Sequence, residues 1–174
     1  LFNILGAILN EQEQFDEAVK NYEKAVKINP NYAQAYSNLG IALYKLNKIN
    51  KAIDCYNKAL NLKIDFAEAY NNIGNAFRTL DRLKDALEYF KKAIKIKPNY
   101  ADAYNNLGGT YEDLGNKKEA LSNFQKAIKI KPDYAKAYSN LLFNLNYKTN
   151  FDIGLYLLEA KKFRSNCKKI KKKL

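Results

Sequence analysis

Large apolar residues recur along the chain at spacings of three and four: Phe2, Leu5 and Leu9; Tyr36, Leu39 and Leu43; Tyr70, Ile73 and Phe77; Tyr104, Leu107 and Tyr111; Tyr138, Leu141 and Leu145. That spacing puts each trio on one face of a helix. A short polar break follows each of the first four trios, at Glu13, Asn47, Asp81 and Gly115. A second stripe then begins, with small residues at Ala18, Ala52, Ala86, Ala120 and Gly154 and larger ones four residues on at Tyr22, Tyr56, Phe90, Phe124 and Leu158. Ala25, Ala59, Ala93 and Ala127 continue it. The pattern predicts helix, turn, helix, with the second helix antiparallel to the first, and it repeats every 34 residues. A fixed period of this size marks stacked supersecondary units.

Counting position 1 from Ala33, Ala67, Ala101 and Ala135, five units lie end to end: 1–32, lacking its first two residues, then 33–66, 67–100, 101–134 and a degenerate 135–163, followed by a basic tail or linker at 164–174. Gly6, Gly40, Gly74 and Gly108 fall at position 8. With the alanines at 20 and 27 they let the paired helices approach until the large residues of one fill the grooves of the other. Pro30, Pro98 and Pro132 are expected to stop the second helices, with Ile64 as the exception, and Asn31, Asp65, Asn99 and Asp133 to cap the next first helices. Each unit exposes an apolar face that only a neighbour can bury.

These residues resemble the tetratricopeptide repeat family in its aromatic-Leu-Gly, Ala, aromatic, Ala and Pro positions, over essentially residues 1–163. The resemblance implies an all-α fold, a right-handed α-solenoid of antiparallel helix pairs. It also implies a concave groove, lined by the first helices, that binds peptides or protein segments.

Position 6 reads Asn38, Asn72, Asn106 and Asn140, and position 5 beside it holds Asn71 and Asn105 with Ser37 and Ser139. Asparagine is a mediocre helix former, so helix propensity does not account for the recurrence. A side-chain amide donates and accepts at once and matches the backbone of an extended peptide whatever its side chains. Such a ladder is similar to the groove of the O-linked N-acetylglucosamine transferase (SPINDLY-like) family, where it holds the protein substrate. The alternative is a packing role inherited by duplication. Ile4 at position 6 of the first unit starts the ladder at the second. Asn75, Asn106 and Lys136 match positions of the carboxylate clamp in chaperone-binding members of the repeat family. Asn71 and Asn140 stand where that clamp needs a lysine and an arginine, which removes two charge-assisted contacts.

In the fifth unit Leu142 replaces the position-8 glycine and Lys161 the position-27 alanine, so the regular stack is expected to end there. The ending SNLLFNLNY, with an EAKKF segment after it, resembles the junction at which bacterial members of that transferase family pass from repeats to catalytic domain. This resemblance implies a non-catalytic substrate-recognition arm of a larger glycosyltransferase; a stand-alone adaptor or scaffold is the alternative.

Composition narrows the chemistry. Histidine, tryptophan and methionine are absent from the 174 residues, so no imidazole is available as base or metal ligand, and no cofactor, metal or enzymatic activity is expected of this segment. The lack of methionine, with residue 1 falling inside a repeat, is what a fragment of a longer chain would show. Of the net charge of +12, eight cations lie in 161–174 without an acid, leaving +4 for residues 1–160. That run has no interleaved aromatics to stack on bases, so nucleic acid is not the expected partner. No apolar run approaches the length of a membrane span. Cys55 and Cys167 form no CxxC pattern and are expected to be reduced and structural, which fits a cytoplasmic setting. Oligomeric state is not readable from these features.

Overall fold

The computed structural model describes residues 1–146, 158, 161–163 and 165. Two compact units divide the chain, residues 1–96 and 97–174. The first holds α1 (Phe2–Glu11), α2 (Phe15–Ile28), α3 (Ala33–Lys45), α4 (Ile49–Leu62), α5 (Ala67–Thr79) and α6 (Leu83–Ile96). The second holds α7 (Ala101–Asp113), α8 (Lys117–Ile130) and α9 (Ala135–Asn146). No strand occurs among the described residues. The fold is the α-solenoid class that the periodicity predicts.

Within residues 1–96 the pairs α1–α2, α3–α4 and α5–α6 pack as antiparallel hairpins, and α2 lies on α3 as α4 lies on α5. First helices also touch in series, α1 to α3 and α3 to α5, whereas no comparable contact joins α2 to α4 or α4 to α6. The first helices therefore form the tighter layer of this unit. In residues 97–174, α7 pairs with α8, α8 with α9, and α7 also touches α9.

Close approach within each pair rests on the position-8 glycines. A methyl group on Gly6, Gly40, Gly74 or Gly108 would stand 2.4 to 2.7 Å from the ring edge of Tyr22, Tyr56, Phe90 or Phe124, and those four rings are buried. The alanines at positions 20 and 27 are buried with them. Positions 3 and 10 belong to the same small-residue set, although the sequence pattern did not single them out. Ala35, Ala69, Ala103 and Ala137 are buried, as are Ala42 and Ala76. In the second unit Phe124 and Ala120 cluster with Leu141 and Leu145, and Tyr138 stacks obliquely on Phe163 at 4.7 Å.

Each polar break is a tight helix-ending turn. Glu13, Asn47, Asp81 and Gly115 have φ of 60°, 58°, 57° and 75°. The N–H of the residue after each donates five residues back (Gln14 to Leu9, Lys48 to Leu43, Arg82 to Phe77, Asn116 to Tyr111) at 2.8 to 2.9 Å. The break residue itself donates three back, which completes a Schellman closure. In the third repeat the Arg82 guanidinium covers the Phe77 ring at 4.4 Å and seals the turn.

The expected caps are displaced by one residue. The N-cap positions of α3, α5 and α7 are Tyr32, Phe66 and Tyr100, and none makes a side-chain capping bond. Asn31, Asp65 and Asn99 therefore precede the cap. The physical reason is in the backbone: the carbonyls of Tyr32, Phe66 and Tyr100 accept the first helical hydrogen bonds, from the N–H groups of Tyr36, Tyr70 and Tyr104. At the same junctions Lys63, Lys97 and Lys131 place their ammonium groups 5.3, 4.7 and 5.1 Å from the rings of Phe66, Tyr100 and Tyr134. A parallel set joins the helices of a pair, with Lys24 over Phe2, Lys58 over Tyr36 and Lys126 over Tyr104. Proline follows the ends of α2, α6 and α8 as expected but is not required for the stop, since α4 ends at Leu62 before Ile64 in the same place.

Cys55 is buried and free, and burial pushes its thiol up to about 11. Cys167, Gly154 and the lysines at 168–173 lie outside the described residues.

Candidate functional site

In residues 1–96, α3 presents Asn38, and the neighbouring α5 presents Asn71, Asn72 and Asn75. In residues 97–174, α7 presents Asn105 and Asn106, and α9 presents Lys136 and Asn140. The two positions of the amide pair are not equivalent. Asn71 and Asn105 are buried, as is Ser37, whereas Asn38, Asn72, Asn106 and Asn140 are half-buried. Asn75 is also half-buried, and Lys136 is exposed.

Asparagine at position 6 reaches back to position 5 of the preceding repeat. Asn38 Nδ2 donates to Asn3 Oδ1 at 3.0 Å, and Asn140 Nδ2 donates to Asn105 Oδ1 at 2.9 Å. Two further bonds extend the first of these into a short chain: Gln34 Nε2 donates to Asn38 Oδ1 at 3.0 Å, and Asn3 Nδ2 donates to the Tyr32 hydroxyl at 3.2 Å. These amides tie first helices to one another, so part of the ladder serves the stack. Asn3 was not a sequence candidate. Its signal is an asparagine at position 5 followed 35 residues later by another at position 6.

The second rung differs. Position 5 before Asn72 is Ser37, whose side chain is shorter than the asparagine found there in other repeats, and the Asn72 amide makes no hydrogen bond among the described residues. Asn75 lies one turn further along α5, and only its backbone carbonyl is engaged, accepting from Thr79 Oγ1 at 3.1 Å. Two amides at i and i+3 project from one side of a helix. Each offers two N–H donors and a carbonyl acceptor. Beyond them Tyr44 and Thr79 share a hydroxyl hydrogen bond of 2.7 Å. In the other unit the Tyr134 hydroxyl donates to Asp102 Oδ1 at 2.5 Å, and burial together with this bond pushes its pKa well above the ordinary tyrosine value.

This layer offers hydrogen bonding. Among the described residues no three His, Cys, Asp or Glu side chains gather where a metal ion would need them, and no helix is long and apolar enough to cross a membrane. Of the clamp-like positions, Asn75 belongs to one unit and Asn106 and Lys136 to the other, and Lys136 supplies the charge.

A TPR repeat model matches residues 6–47 and 42–81, and a tetratricopeptide repeat model matches 65–133. The chain belongs to the tetratricopeptide repeat family. Among solved structures, this tetratricopeptide repeat protein is similar to MamA at 30 % identity, covering 97 % of this chain and 95 % of that one with a TM-score of 0.73. Two more distant structures share the fold. YrrB, described as a TPR protein with an unusual peptide-binding site, is 24 % identical over 95 % of this chain and 84 % of its own, with a TM-score of 0.67. PilF of Pseudomonas aeruginosa is 18 % identical over 95 % and 74 %, with a TM-score of 0.85. Among curated proteins none matches the chain.

Proposed function

We propose that this tetratricopeptide repeat protein is an interaction module whose first-helix layer receives an extended peptide or protein segment, with the half-buried amides bonding the segment's backbone. The observation that supports this most directly is the pair Asn72 and Asn75, two amides one turn apart on α5 whose side chains have no hydrogen-bond partner among the described residues. An amide that already holds a neighbouring repeat still retains a second N–H and a lone pair. Asn38 joins the contact on that basis. Within residues 97–174, Asn106 and Asn140 offer amides of the same kind, and Lys136 offers a cation to an acidic group. Asn71 and Asn105, being buried, position the layer from behind.

Peptides selected on the immobilised chain from a random displayed library test the reading. They should lose about tenfold or more in affinity when Asn72 and Asn75 are both replaced by alanine, the loss of two hydrogen bonds at about 1 kcal/mol each. Unchanged affinity in a folded double variant removes the α5 amides from the site.

Two larger settings fit this module. The SNLLFNLNY ending supports a substrate-recognition arm of a protein O-glycosyltransferase, and the tetratricopeptide repeats are equally suited to an adaptor or scaffold of a protein assembly. A reading frame that continues past Leu174 into a nucleotide-sugar-binding domain would decide for the arm. A stoichiometric protein partner recovered without such an enzyme would decide for the adaptor. The free, buried thiol of Cys55 is consistent with a reducing, cytoplasmic location for either.

A further inference from the structure

Pro30, Pro98 and Pro132 follow three of the second helices, and Ile64 stands in their place after α4. The backbone before it already suits proline. Lys63 has φ −145° and ψ 94°, close to Asn29 (−129°, 91°) before Pro30 and Lys131 (−126°, 91°) before Pro132, in the extended region that proline requires of its predecessor. Proline would also restrict the unfolded chain and so stabilise the fold. The chain instead carries an isoleucine that is 73 % exposed, with Leu62 41 % exposed beside it and Ile96, at the end of α6, 37 % exposed. Repeats lie on both sides of Leu62 and Ile64, so the fold itself leaves these side chains exposed. An extended residue sets its two neighbours on one side of the chain. Leu62 and Ile64 thus share one tip, while Lys63 turns to the ring of Phe66.

Antiparallel hairpins bring the C-terminal ends of α2, α4 and α6 to one edge of residues 1–96, the edge at which α3 and α5 begin, and the three tight turns to the other. The two edges differ in charge. Residues 24–34, 58–68 and 91–96 hold seven lysines, all exposed, against two acids, Asp65 and Glu68. Around the turns, residues 10–17, 44–51 and 78–85 hold six cations and six acids. Protruding aliphatic side chains set among ammonium groups are what a surface resting on an anionic bilayer needs: the apolar tip enters the boundary of headgroups and acyl chains, and the cations meet the negative surface potential. A bilayer takes such a tip without a matching pocket, which a protein partner would have to supply.

We propose that this edge rests on anionic membrane surfaces, with Leu62 and Ile64 inserted at the headgroup boundary, Ile96 beside the lipid, and Lys27, Lys58, Lys63, Lys92 and Lys95 against the headgroup anions. The contact is peripheral and leaves the amides of α5 out of it, so it stands apart from the peptide reading. Lysine stems lie along the apolar surface while their ammonium groups stay with water and lipid oxygens. One small tip in a basic field gives reversible binding no stronger than a single acyl anchor, with half of the chain bound at roughly 0.1 mM lipid or above.

Pelleting of the whole chain with sucrose-loaded vesicles reads this directly, with vesicles of phosphatidylcholine alone compared with equal parts of phosphatidylcholine and phosphatidylserine. The chain should bind the mixed vesicles and leave the uncharged ones. Ile64→Pro keeps every lysine, including those at 168–173, so it should retain its helical circular dichroism yet bind about fivefold more weakly. The chain has no tryptophan, so Ile64→Trp reports on the tip alone. Its emission should shift to the blue on the mixed vesicles and be quenched by brominated acyl chains, whereas that of Leu80→Trp, at the opposite edge, should do neither. Three results overturn the proposal: a wild-type chain that ignores the mixed vesicles, which assigns the edge to an acidic protein partner; a folded Ile64→Pro variant that binds like wild type; or an Ile64→Trp variant that pellets with its emission unchanged, which places the contact on the basic tail.

Discussion

Gly74→Ala puts a quantity on the contact that spaces each helix pair. The added methyl group would lie 2.6 Å from Cε1, 2.8 Å from Cδ1 and 2.9 Å from Cζ of Phe90, against the roughly 3.5 to 4.0 Å of an unstrained carbon contact. Phe90 is fully buried, so its ring cannot turn into solvent, and α5 and α6 must separate or the ring must leave its rotamer. Overpacking of this kind costs about 1 to 3 kcal/mol. Alanine also returns about 1 kcal/mol of helix propensity. Near the upper end of the first range, the net expectation is a loss of about 2 kcal/mol in urea unfolding followed by circular dichroism.

A double-mutant cycle separates sterics from backbone. In a Phe90→Leu background the ring atoms nearest the new methyl are gone, so Gly74→Ala should become neutral or stabilising by up to about 1 kcal/mol. The coupling between the two sites is then about 2 to 3 kcal/mol. Additive behaviour, or a stable single variant, would mean that the glycine does not set the helix separation.

Two other expectations follow from backbone and burial. Glu13→Gly should stabilise the chain by roughly 1 kcal/mol, because glutamate is held at φ 60°, and Gly115→Ala should cost a similar amount although nothing stands within 4 Å of its added methyl; equal melting curves would refute both. At alkaline pH the folded chain binds its protons more tightly than the unfolded one, since burial pushes the Cys55 thiol from 9.0 to about 11 and the Tyr22 hydroxyl from 10.0 to about 12. Stability should therefore fall as pH rises from about 9, and Cys55→Ala should flatten the Tm profile between pH 9 and 11; an unchanged slope would refute a thiol contribution.

The sequence pattern shows most clearly those features that duplication repeats in a single column. The aromatic at position 24 facing glycine at position 8 is one such feature, because large and small residues recur at fixed offsets in four successive repeats. The turn was legible as a break, but its left-handed backbone was hidden behind three different residue types, Glu13, Asn47 and Asp81. Capping was misplaced by one residue because Asn31 and Asp65 have the right propensity, while the carbonyls that open α3 and α5 belong to the aromatic residues after them, Tyr32 and Phe66. The site was legible as a polar column and not as two roles. Burial separates Asn71 from Asn72, and burial depends on how first helices rest on one another.

The 35-residue separation of Asn3 from Asn38, Tyr44 from Thr79 and Asn105 from Asn140 shows that a position in one first helix meets the next-numbered position in its neighbour. Asparagine at position 6 is therefore matched or unmatched according to position 5 of the repeat before. Ser37 leaves Asn72 unmatched. Ser37→Asn should supply the missing acceptor, since Asn71 and Asn105 already occupy the same position in other repeats. The new bond should stabilise the chain by about 0.5 to 1.5 kcal/mol. With one N–H drawn onto α3, Asn72 should hold a library-selected peptide several-fold more weakly, measured by calorimetric titration. Stability and peptide affinity should move in opposite directions. A variant that gains stability while binding the peptide as before would show that the Asn72 amide is not a ligand contact, and that this column serves the stack at every rung.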